Sequence, residues 1–121
     1  MTWGEIAENS WDAANNLHSS GYLRSCVSRA YYSAYSYATA ALERKGIRFK
    51  DGRDGPPHAS LPELVIANLE LDRKRKYQVR RALVTLYKAR VQADYFKQEI
   101  GENFVRMALR DASIIRRSLR E

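Results

Sequence analysis

The most informative residue of this 121-residue chain is an arginine in an apolar stripe. Arg90 falls at helical spacing among Val79, Leu83, Leu86 and Ala93, a face that ordinary solvated arginines avoid. Asp94 follows one turn later on the same face, within reach of an ion pair, although Arg before Asp is the less favoured order on an isolated helix. A fixed, partly buried guanidinium suits phosphate or carboxylate, because its planar fork can donate two parallel hydrogen bonds. The same pair also fits a purely structural ion pair, for instance across a dimer contact, where removing one partner strands a charge.

A second polar group lies on the middle of the long Ala- and Tyr-rich segment. Arg29, Ser33 and Ser36 share one helical face opposite a row of alanines, with Tyr32 beside them. Such a face can hydrogen-bond a phosphodiester and stack a base, as arginines and tyrosines do in single-strand RNA sites. A solvated or dimer-facing polar edge explains it equally well. Tyr31, Tyr35 and Tyr37 read as packing residues with hydroxyls at the rim. The strongest basic patch is Arg73, Lys74, Arg75 and Lys76, followed by Arg80 and Arg81, six positive charges within nine residues. Cations at a helix start oppose its dipole, so this run has a mild local cost that a polyanion-binding role would explain; the alternative is an ordinary solvated helix start.

Other chemistries find little support. The two histidines, His18 and His58, have no His four residues away and no cluster of acidic ligands, so neither a metal site nor any other cofactor is expected. Cys26 is the single cysteine, which excludes an internal disulfide; its apolar neighbours mark it as a small core residue. P-loop, G-x-G-x-x-G and Ser-His-Asp signatures are missing, so nucleotide hydrolysis and acyl transfer are not indicated.

The elements that must position these residues are helical. Trp3, Ile6, Ala7, Ala14 and Leu17 predict a helix near residues 2–18. Leu23, Val27, Ala30, Ala34, Ala38 and Ala41 predict a long second helix over about 22–45, whose small residues admit close neighbours, with Gly46 at its left-handed end. The loop Asp51-Gly52-Arg53-Asp54-Gly55-Pro56-Pro57 disfavours regular structure. Ser60 and Glu63 have capping-box spacing, predicting a short helix to about Leu71 with Leu64, Val65 and Leu69 inward. Asp72 is placed to cap a helix over about 73–97, with Val79, Ala82, Leu83, Leu86 and Ala93 inward. After Gly101 a last helix, about 102–119, would bury Phe104, Ala108, Ala112, Ile115 and Leu119 and turn Arg106, Arg110, Arg117 and Arg120 outward. With no alternating strand pattern, the expected fold class is all-α: one domain spanning residues 1–121, an up-and-down antiparallel bundle of four main helices plus one short helix.

Bulk properties agree with a folded, basic domain. Hydrophobic residues make up 45% and charged residues 29%, enough to form a core under a charged surface. Lys and Arg number 21 against 14 Asp and Glu, a net charge of +7 that favours polyanionic partners. The N-terminus lacks a basic region followed by an apolar run, and no apolar stretch reaches membrane-span length, so a cytoplasmic protein without membrane contact is expected.

Three segments carry a family resemblance. Ser28-Arg29-Ala30-Tyr31-Tyr32-Ser33-Ala34-Tyr35 resembles the S-R-A-Y-Y-A-x-F signature of the second helix of HEPN proteins. Pro57-His58-Ala59-Ser60-Leu61 is similar to their T-H-x-x-L, and Leu86-Tyr87-Lys88-Ala89-Arg90 with Ala93-Asp94-Tyr95 to the L-x-x-x-R-x-x-A-D-Y block of a subgroup. The resemblance implies a helical bundle that dimerises through its long helices, with a cleft between protomers where RNA is bound and cut. It also implies a toxin or defence role and, often, a neighbouring MNT-type nucleotidyltransferase as antidote. Active members follow the Arg with a His after four to six residues, and that pair cuts RNA without metal. Here Tyr95 stands five residues after Arg90. A phenol with pKa near 10 shuttles protons poorly at neutral pH beside an imidazole near 6.5. Five helical steps also rotate Tyr95 about 140° from Arg90, so they converge only where the helix ends or distorts, or across a dimer.

The reading that follows is a homodimer that binds RNA, an MNT-type nucleotidyltransferase, or both, with weak or no nuclease activity. Arg90, Asp94 and Tyr95 would occupy the catalytic position. Arg29, Tyr32, Ser33, Arg73, Lys74, Arg75, Lys76, Arg80 and Arg81 would contact RNA. The alternatives are an active metal-independent RNA endonuclease toxin and a structural helical adaptor that docks its basic face on an acidic protein.

Overall fold

The computed structural model describes residues 1–49 and 55–121. Much of the turn-rich loop, residues 51–54, lies outside the described residues. Helix α1 spans Trp3–Ser19, α2 Leu23–Arg44, α3 Leu61–Asn68, α4 Arg73–Tyr95 and α5 Glu102–Leu119, with a 3-10 turn His58–Ser60 leading into α3. No strand occurs among the described residues. The bundle is the one the hydrophobic periodicity predicts.

Helix α2 is its axis. It packs against α1, α5, α4 and α3 in turn, which its alanine row permits: Ala30, Ala34, Ala38 and Ala41 are all buried. Val79, Leu83, Leu86 and Ala93 of α4 and Ala108, Ala112, Ile115 and Leu119 of α5 close the core, each large apolar side chain contributing about 1.5–3 kcal/mol by leaving water. Cys26 sits among them, and burial, reinforced by the Glu102 charge, pushes its thiol up to about 11. Phe104, expected inward, is only partly covered; Val105 takes the buried position, so α5 is rotated slightly from the face its aromatic suggested.

Helix ends follow local chemistry. Thr2 and Glu5 form a capping box on α1. Helices α1 and α2 both stop at a left-handed glycine, Gly21 at φ 81° and Gly46 at φ 80°. In each, the amide after the glycine reaches back five residues, Tyr22 to the Leu17 carbonyl at 2.9 Å and Ile47 to the Leu42 carbonyl at 3.1 Å. Asp72 caps α4 as expected, accepting from the Arg75 amide at 2.8 Å.

The box expected at Ser60 does not form. Ser60 closes the 3-10 turn in an α-like conformation, its amide donating to the Pro57 carbonyl, so its side chain cannot take the cap position that needs extended backbone. Helix α3 ends at Asn68 rather than Leu71, because Leu69 is extended. Likewise α4 ends at Tyr95, with Phe96 extended, two residues short of the predicted Lys97.

Candidate functional site

The early end of α4 brings Tyr95 to Arg90. Had the helix continued, the two side chains would diverge; with it ending there, the Tyr95 ring lies 5.5 Å from the Arg90 guanidinium carbon. On the other side the Tyr32 ring, from α2, lies 5.4 Å from the same carbon, and Arg90 Nη2 donates to the Tyr32 hydroxyl at 3.0 Å. Asp94 Oδ2 is 2.9 Å from Arg90 Nε, the ion pair that the spacing predicted. That contact is close but poorly directed, so Nε is buried without a well-formed hydrogen bond and the attraction is chiefly Coulombic. The Arg90 side chain is 15% exposed and that of Asp94 26%. Burial weakens the Arg90 cation, yet Tyr32, Asp94 and Tyr95 outweigh it and hold its pKa above the usual value.

Arg24, which the sequence reading did not single out, sets where α4 ends. Its guanidinium, near the start of α2, donates to the carbonyls of Ala93 at 2.7 Å, Phe96 at 2.7 Å and Gln98. Carbonyls at a helix C-terminus lack intrahelical partners and carry partial negative charge, so a cation there satisfies both needs. No local pattern announces this bond, since donor and acceptors lie far apart in the chain. Between the two helices a pocket of about 380 Å³ is lined by Arg24, Ser28, Arg29, Tyr32 and Asp94. Ser28 Oγ approaches Asp94 Oδ2 at 3.4 Å.

His58 is the second residue missed. The bend after Pro57 inserts its ring among tyrosines: 4.7 Å from Tyr35, 5.5 Å from Tyr31, 6.0 Å and nearly parallel to Tyr87, and 6.1 Å from Tyr32. Its Nδ1 shares a 2.5 Å hydrogen bond with the Tyr31 hydroxyl. Burial, then the Arg90 charge, lower its pKa, so the imidazole is neutral at pH 7. Burial, with Tyr35 and Tyr87 adding to it, raises the Tyr31 phenol far above its ordinary value. Tyr35 fixes the approach by donating to the Pro56 carbonyl at 2.7 Å, and a side chain at Gly55 would collide with that hydroxyl. The i, i+4 tyrosines on α2 were the available signal, legible only once the loop is known to fold over them.

The remaining sequence-derived residues divide. Arg29 is exposed at the pocket rim beside Tyr32. Ser33 is a correction: it is fully buried and its hydroxyl donates to the Ala30 carbonyl at 2.7 Å, so it offers nothing to an RNA. Its supposed polar face is turned inward because α2 has helices on nearly every side, and Ser36 is buried with it. Arg73, Lys74, Arg75, Lys76, Arg80 and Arg81 lie towards the other end of α4, from about 14 Å (Arg81) to about 25 Å (Arg73) along the axis from Arg90 at 1.5 Å per residue. Of these, Arg80 pairs with Glu63 at 2.9 Å. No group of three or more His, Cys, Asp or Glu able to hold a metal occurs among the described residues. None of the described helices is long and apolar enough to cross a membrane.

An all-helical bundle with an aromatic-flanked arginine whose partners Tyr32 and Asp94 line a cationic pocket, together with a tyrosine-caged histidine, defines the class. The chain belongs to the HEPN domain family, whose model it matches over residues 1–121. No curated protein matches it. Membership bears out the resemblance to the family and suggests RNA-related or nuclease-like chemistry.

Proposed function

We propose that this protein is a single-domain HEPN homodimer that binds RNA, works with an MNT-type nucleotidyltransferase in a toxin-antitoxin or defence-type system, and has weak or no nuclease activity. The observation that carries the reading is the company of Arg90. Asp94 and Tyr32 already engage its guanidinium, and the side chain that the helix end delivers beside it is a phenol rather than an imidazole. This arrangement gives Arg90 no proton shuttle, which supports RNA being held without being cut. Metal-free incubation of the protein with a mixed cellular RNA pool, alongside a gel shift on the same RNA, tests it: retarded but intact RNA is expected. Rapid fragmentation, or no retardation at all, overturns it.

One observation favours a second reading, an active metal-independent endonuclease. His58 supplies a neutral imidazole 6.1 Å from the Tyr32 ring that also flanks Arg90. Under that reading His58→Gln abolishes cleavage while leaving RNA retardation intact; cleavage that survives the substitution removes the case for it.

A further inference from the structure

The cations of the Arg90 pocket are mostly engaged. Arg90 is matched by Asp94 and Tyr32, and Arg24 is committed to three carbonyls. Affinity for a polyanion comes largely from cations free to replace its counterions. Those cations lie elsewhere. Nine residues separate Arg81 from Arg90, two and a half helical turns at 3.6 residues each, so the two leave α4 on opposite sides. On the Arg81 side, Lys74, Arg81 and Lys88 recur at helical spacing, and Arg110 and Arg117 form a facing row on α5. All five are exposed, and none has an acidic side chain within ion-pair distance among the described residues.

Between the rows runs a groove of about 320 Å³, lined by Tyr77, Arg81, Thr85, Met107, Arg110 and Asp111 among others. Tyr77 is 67% exposed, a large aromatic left in water on a lining that also holds Arg81 and Arg110. The groove's one acid, Asp111, is partly buried and accepts from Thr85 Oγ1 at 2.7 Å; burial raises its pKa, while the Thr85 bond and the Arg81 and Arg110 charges oppose the rise. At the start of α4, Arg73, Arg75 and Lys76 add positive charge around a first turn that holds no acidic residue. An aromatic ring flanked by cations in a groove is the arrangement that single-stranded nucleic acid uses: cations track the backbone and the ring stacks a base of any sequence.

The geometry points to the groove between α4 and α5 as the surface that holds single-stranded RNA, with Tyr77 as the base-stacking platform and Arg81 and Arg110 on the phosphates. This rests on the RNA-binding reading above and relocates the source of affinity from the Arg90 pocket to the opposite side of α4. An acidic protein segment would meet the same charges, but the exposed ring and the flanking cations favour the nucleic acid.

The test is fluorescence anisotropy with labelled oligouridylate over a salt series, using the wild type, Tyr77→Ala, the double variant Arg81→Ala/Arg110→Ala, and Arg90→Ala, each shown to be folded by circular dichroism. All three groove positions are exposed, so their replacement spares the core. Tyr77→Ala should weaken binding about tenfold, and the double variant should flatten the slope of log K against log salt by about 1.4, at about 0.7 per phosphate contact. Arg90→Ala should weaken binding less than either. Groove variants that bind like the wild type, with affinity lost instead in Arg90→Ala, overturn this inference and leave the RNA reading standing. A wild type that binds no oligouridylate brings down both.

Discussion

Two arginines of this bundle keep nearly the same company and yet occupy different kinds of place. Arg90 has Asp94, the Tyr32 hydroxyl and two aromatic faces; Arg116 has Glu8, the Tyr37 hydroxyl and the Trp11 face at 5.4 Å. The difference lies in what each set connects. Glu8, Tyr37 and Arg116 come from α1, α2 and α5, and Tyr37 also donates to Glu8, so the cluster ties three helices together. Arg90, Asp94 and Tyr95 all belong to α4 and reach only one other helix, at a helix end beside a pocket. Chemically similar clusters thus divide into a tie that holds helices together and a site left open at one edge.

Stability measurements can break that distinction. The largest loss is expected from Arg24→Ala, about 3 kcal/mol by urea denaturation, because several carbonyls at the end of α4 lose a charged donor at once. Amide exchange should quicken over residues 96–100 more than elsewhere, which would show that Arg24 also fixes Tyr95. Next comes Arg116→Ala, at about 2 kcal/mol, a value reduced from that of a fully buried pair because the side chain is 26% exposed. Oligouridylate binding should not change. Arg90→Ala should cost only about 1 kcal/mol: although its pair is the less exposed of the two, Asp94 lies one turn away on the same helix and Arg90 joins only one other helix, so no three-helix tie is lost. If Arg90→Ala proves more destabilising than Arg116→Ala, the comparison reverses and Arg90 is primarily a structural ion pair.

The smallest effect is a pH dependence. His58 has a folded-state pKa below its ordinary 6.5, so in the window beneath 6.5 the unfolded chain binds more protons than the folded one. Stability therefore falls as pH drops below 6.5, until the folded pKa is passed. Comparing urea midpoints at neutral and mildly acidic pH should show this slope in the wild type and its loss in His58→Asn. A slope unchanged by the substitution would mean the tyrosine cage does not hold the imidazole neutral.

The sequence made the fold legible because nearly every helix carries its own stripe and stop signals: Asp72, Gly46 and the apolar spacing of α4 needed no tertiary knowledge. The Arg90–Asp94 pair was legible for the same reason, being a one-turn relation on one helix. Ser33 misled because serine on an alanine-rich helix looks the same whether a neighbouring helix covers it or not. Arg24 and His58 were hidden by distance: each acts on groups that only the packing of α2 against α4 and the loop before α3 brings near. The two-residue error at the end of α4 has the same origin, since the bonds that fix that end come from α2.

Helix α2 also limits how a second copy could pair with this one. From Ser33 to Leu42 every residue is buried by the chain itself, so besides Glu43 and Arg44 at the end of α2 it is the stretch around Ser25, Ser28, Arg29 and Tyr32 that remains for another molecule to touch. Under two-fold symmetry, residues near the axis meet their own counterparts. A dyad drawn through that stretch would set arginine against arginine across the seam, a repulsion that an anion lying on the axis would relieve.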